Sequence, residues 1–153
     1  MTLHAVSNTQ PTTPPVQSRT PEPAPHLAAE VAVLGALMLS DRARTEVPTL
    51  LDPDDFDRPA HRTLYSTILD LIDRGEVPDP IVVNAALADT GKLDEVGGLA
   101  AVWDCTSIDG CFTPSAFPAY CRIVKDAADR RRQVSGHLEA LRRLGVDVQE
   151  VTA

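Results

Sequence analysis

Chemistry in this chain would have to come from its carboxylate cluster, its histidines and thiols, its paired glycines or its run of arginines. Asp52, Asp54, Asp55 and Asp57 are set out like the first half of a calcium loop, but the glycine at the sixth position and the closing glutamate are absent. With Pro53 among them they read as turn and capping carboxylates. His61 sits between Arg58 and Arg62 with no carboxylate at i+3 or i+4, which suits a structural histidine better than a general base. His4, His26 and His137 stand isolated. Cys105, Cys111 and Cys121 are widely spaced, with no CxxC pair and no histidine at a zinc interval, so they read as reduced, partly buried thiols. Gly97-Gly98 precedes a helix, but Asp94 and Glu95 would repel an anion there, and a tight turn is the better reading. The chain contains neither GxxxxGK[ST] nor GxSxG. No catalytic set, cofactor or metal is therefore expected.

The cationic groups are concentrated near the C-terminus. Arg130, Arg131 and Arg132, with Arg122, Lys125, Arg142 and Arg143, could meet a nucleic acid or an acidic partner. Arg122, Arg130 and Arg132 are the candidate contacts. The plainer reading is a solvated helix face, partly paired with Asp126, Asp129 and Glu139. No aromatic side chain is interleaved with these arginines for base stacking. Residues 27–121 carry 6 basic and 16 acidic side chains, a balance of −10, whereas residues 122–153 carry 7 and 5, a balance of +2. The body therefore repels phosphates at long range, and direct DNA binding should be weak or absent.

The elements that would position these groups are helical. Aromatic residues make up only 4% of the chain, so Leu, Val, Ile and Ala must build the core. Residues 1–25 hold six prolines among polar residues and read as a disordered tail. A helix over 27–39 carries Leu27, Val31, Leu34 and Met38 on one face. A short second helix covers 42–47 and stops before Pro48. A third takes Asp57 as its cap and Pro59 in its first turn, carries Leu64, Ile68, Leu71 and Ile72, and ends at Gly75. A fourth uses Asp79 as cap and Pro80 at its first position, points Val83, Ala86 and Leu87 inward, and ends at Gly91. A short helix after Gly98 carries Leu99, Val102 and Trp103, and 106–115 form a loop. The last helix runs from about Pro118 to Leu144. Its apolar residues Tyr120, Val124, Ala127, Val134, Leu138 and Leu141 alternate steps of four and three, with Arg131 filling the missing place, a seam suited to another helix. Gly136 inside it marks a bend or a close contact. The organisation expected is all-α: a tail over 1–25, a compact helical head over 26–115, a long helix over 116–145 as one arm of a hairpin, and a flexible tail over 146–153. No apolar run approaches the ~20 residues that span a bilayer, and the N-terminus lacks the features of a secretory signal. A cytoplasmic location follows.

Four segments, in order, resemble the N-terminal domain of the DnaB-type replicative helicases. They are Ala29-Glu30-Val31-Ala32-Val33-Leu34-Gly35-Ala36-Leu37, Asp54-Asp55-Phe56-Asp57-Arg58-Pro59-Ala60-His61-Arg62, Gly91-Lys92-Leu93-Asp94-Glu95-Val96-Gly97-Gly98-Leu99, and Thr113-Pro114-Ser115-Ala116 with Tyr120-Cys121-Arg122-Ile123-Val124. The resemblance implies a helical head followed by a hairpin that pairs subunits around a ring. It also implies contacts with primase and helicase loader, with ATP hydrolysis left to a separate RecA-like motor domain. The motor domain and the return helix of the hairpin have no counterpart in these 153 residues. Asp57 stands where the family often has an aromatic residue, and Phe117-Pro118 replaces the usual asparagine cap.

The reading that results is a non-catalytic module making protein–protein contacts in DNA replication. Its partners would be replicative helicase subunits, primase or a loader, and a homodimer is possible. The seam Val124, Ala127, Arg131, Val134, Leu138 and Leu141 is the candidate docking surface. The alternatives are a fragment of a full replicative helicase and a DNA-binding protein using the arginine-rich helix.

Overall fold

In the computed structural model, residues 24–107, 113–147 and 149 are described. Cys111, nearly all of the tail assigned to 1–25, the centre of the 106–115 loop and most of 146–153 lie outside them. Among the described residues six α-helices follow one another: α1 (Pro25–Leu39), α2 (Asp41–Leu50), α3 (Pro59–Asp73), α4 (Pro80–Asp89), α5 (Leu99–Thr106) and α6 (Phe117–Arg143). Single 3-10 turns occupy Pro53–Asp55, Asp94–Val96 and Pro114–Ala116. No strand occurs among the described residues, and no helix there is long and apolar enough to cross a membrane. The all-α expectation is met, and α1 begins one residue inside the segment assigned to the tail.

Helix α1 is the axis of the head. It packs against α2, α3, α5 and α6, most extensively against α6. Its apolar residues do not form a single stripe, as the spacing suggests. Ala29, Glu30 and every residue from Ala32 to Met38 are buried, because neighbours cover it on several sides. Ala32, Gly35 and Ala36 keep it slim enough for that. Its C-terminal carbonyls are capped from outside: the Arg44 guanidinium donates to the carbonyls of Leu37 and Met38, both at 2.8 Å. Ser40 then starts α2 by accepting from the N–H of Ala43 at 3.4 Å. Pro48 does not stop α2, which runs to Leu50. Pro48 falls in the last turn, where only one ladder bond is lost, and the Leu51 N–H still reaches the Val47 carbonyl at 3.0 Å.

Helices α3 and α4 end as their sequences indicate. Gly75 and Gly91 have φ of +75° and +69°. The N–H groups of Glu76 and Lys92 return to the carbonyls of Leu71 and Leu87, which closes each helix in a six-to-one turn. Asp79 caps α4 by accepting from the N–H groups of Ile81 and Val82 at 2.8 and 2.9 Å. Helix α5 carries both buried and exposed apolar residues. Val102 and Cys105 are its buried residues, while Leu99 and Trp103 are 57% and 44% exposed.

The connection between α2 and α3 is irregular and buries Leu51, Asp55 and Phe56, so the backbone groups around them must find partners within the protein. Tyr65, fully buried, donates its hydroxyl to the Leu51 carbonyl at 2.7 Å and lies 4.6 Å from the Phe56 ring. Arg62 donates to the Phe56 carbonyl at 2.7 Å. Glu30 of α1, only 1% exposed, accepts from the Asp57 N–H and from His61 Nδ1, both at 2.6 Å. Asp57 is therefore not the cap of α3. That place falls to Arg58 without a side-chain bond. The Asp57 carboxylate instead accepts from His26 Nε2 at 3.2 Å, so His26 is not isolated.

Asp55 fastens this connection to α6. It is fully buried and accepts from the Asp52 N–H, Lys125 Nζ and Arg132 Nη2 at 2.9, 2.9 and 2.5 Å. Asp52 and Asp55 together form a capping box around the 3-10 turn. Burial alone would raise the Asp55 pKa. The Asp52 N–H, then Lys125 and Arg132, outweigh it and hold the group below its ordinary 3.8. The stability this contributes is complete above that ordinary value and is lost as pH falls through the lower folded value. Asp55→Asn should cost about 2–3 kcal/mol at neutral pH, given charge-assisted bonds whose cations can partly return to water. Urea unfolding at pH 7 and pH 3 checks this, with the gap between parent and variant narrowing in acid.

Candidate docking surface on the long helix

Helix α6 has two halves with different surroundings. Phe117, Cys121, Val124, Ala127 and Ala128 are buried in the head. Arg42 of α2 lies over the Phe117 ring, 5.4 Å from its centroid. Beyond Ala128 no residue of α6 is fully buried, because the head ends there while the helix continues. A helix that outruns its support keeps its apolar pattern without a surface to cover it.

The candidate seam is divided accordingly. Val124 and Ala127 are 0% and 7% exposed and already serve the core, so they offer nothing to a partner in this fold. Val134 is 58% exposed, Leu138 and Leu141 are half-buried, and Leu144 continues the line at 78% exposure. Arg131 marks the change. Its Nη2 donates to the Asp55 carbonyl at 2.7 Å and its Nε lies 3.5 Å from an Asp57 oxygen, while Nη1 is buried with no hydrogen-bond partner. The charged place in the seam is therefore filled by a residue that reaches back to the α2–α3 connection.

The arginines proposed for a nucleic acid or acidic partner separate too. Arg132 is committed to Asp55 and, at 3.0 Å, to Asp129. Its pKa is raised, first by the bond to Asp55. Arg122 and Arg130 are exposed and make no ion pair among the described residues. Arg143 pairs with Glu139 at 3.5 Å, as its spacing suggests. Asp126 makes no ion pair among the described residues.

None of the other groups assembles a reactive centre. No cluster of three His, Cys, Asp or Glu side chains that could hold a metal occurs among the described residues. Burial pushes the Cys105 thiol up to about 12, helped by Asp104, and the Cys121 thiol up to about 11, so neither is an activated nucleophile. Gly97 and Gly98 both have positive φ, 97° and 84°, which accounts for the glycine pair as a turn. The groups that spacing alone did not connect are Glu30, Asp55 and His26. The signal available for Glu30 was a lone carboxylate inside an otherwise apolar helix.

Comparison with known proteins places this geometry in a context. Residues 22–126 match the family model described as the DnaB-like helicase N terminal domain. The replicative DNA helicase DnaC of Bacillus subtilis (strain 168) is 38% identical over 112 residues, 73% of this chain and 24% of that protein. The replicative DNA helicase DnaB of Mycobacterium leprae (strain TN) is 37% identical over 143 residues, 90% of this chain and 23% of that protein. The chain thus spans about a quarter of the length of these relatives. The crystal structure of the N-terminal domain of DnaB helicase from Mycobacterium tuberculosis superposes with a TM-score of 0.72 at 38% identity, covering 76% of this chain and 81% of that one.

Gly136 lies in the unsupported half of α6. A Cβ added there meets nothing within 4 Å, and α6 continues through it, so the close contact that its position suggested is not made. Gly136→Ala should raise stability by about 0.5–1 kcal/mol through helix propensity alone. Thermal melts followed by circular dichroism check this, and a fall in the midpoint would mean that the helix needs its glycine.

Proposed function

We propose that this chain, which belongs to the family of DnaB-like helicase N-terminal domains, is a non-catalytic module that makes protein–protein contacts in DNA replication. The helical head is a rigid base, and the outer half of α6 is the docking face for replicative helicase subunits. Primase and a helicase loader are the further partners that the family resemblance implies. The observation that carries the reading is the stripe Val134, Leu138 and Leu141, which runs on past the head with no residue fully buried. An apolar stripe on a protruding helix is stabilised when a second helix covers it.

A second reading is supported by the lengths of the relatives. This chain matches about a quarter of each. In that reading it is the N-terminal part of a full replicative helicase, whose ATP-driven unwinding resides in a motor domain elsewhere in the polypeptide. The stripe then pairs subunits of the same assembly. Direct DNA binding has weaker support, since Arg132 is spent on Asp55 and the head is strongly acidic.

Light scattering on the purified chain, alone and mixed with a replicative helicase, tests the docking face. The parent should associate, and the double variant Leu138→Asp, Leu141→Asp should weaken association at least ~100-fold, the loss expected when two leucines at an interface are made charged. Its circular dichroism and thermal midpoint should stay close to those of the parent. Undiminished association of the double variant would overturn the assignment.

A further inference from the structure

We draw no further inference here: the strongest candidate, the cavity of about 210 Å³ between the first turn of α3 and α5, is lined by His61, which Glu30 already holds from the core, and by Arg58 and Asp104, exposed side chains of opposite charge, so nothing in the structure shows what would occupy it.

Discussion

A partly buried stretch of irregular backbone governs the architecture of this head. Residues 51–58 bury Leu51, Asp55 and Phe56 without a regular ladder of hydrogen bonds, and side chains from three helices meet the backbone groups there. Glu30 comes from α1, Tyr65 and Arg62 from α3, and Arg131 from α6. The two fully buried acidic groups meet the same demand. Glu30 is compensated by an amide and an imidazole, and Asp55 by an amide, an ammonium and a guanidinium. Replacing any one of these leaves another group stranded, which ties residues far apart in sequence to one another.

That dependence gives a physical meaning to the segments by which the chain resembles its family. Glu30 belongs to the first segment, and Asp55, Phe56, Asp57 and His61 to the second. In space they converge on a single junction, joined by Lys125, Arg131 and Arg132 from just beyond the last segment. The junction is structural in its chemistry: its charges neutralise one another instead of being poised for reaction. The glycine-containing third segment is a connection made possible by three positive-φ residues, Gly91, Gly97 and Gly98.

The helices and their ends were legible in the sequence because they depend on local signals. Asp79-Pro80 and the terminal glycines Gly75 and Gly91 act within one turn of the chain. Long-range partnerships were not legible. His26 and Asp57 are 31 residues apart, and Asp55 and Arg132 are 77 apart, so no spacing rule connects them. The same limit explains Asp57, which looks like a cap beside Pro59 but is drawn to His26 and Arg131 instead. Of the candidate seam, periodicity lays out a stripe but cannot say where the head stops covering it. Val124 and Ala127 proved internal, and Val134 proved external.

The anchoring of α6 near one end has a mechanical consequence. From Arg132, the last residue fastened to Asp55, the helix extends eleven residues to Arg143, roughly 16 Å at the rise of an α-helix. It is a cantilever whose fixed end is an ion cluster. A tilt of only about 10° at the fixed end would swing the tip by about 3 Å, more than half the pitch between successive turns. The direction in which the stripe points therefore depends on Asp55, Lys125 and Arg132, none of which lies on the stripe, together with the packing of α6 on α1. A lesion in the α2–α3 connection would behave as a misalignment, leaving the leucines in place on the helix yet shifting the direction in which they point.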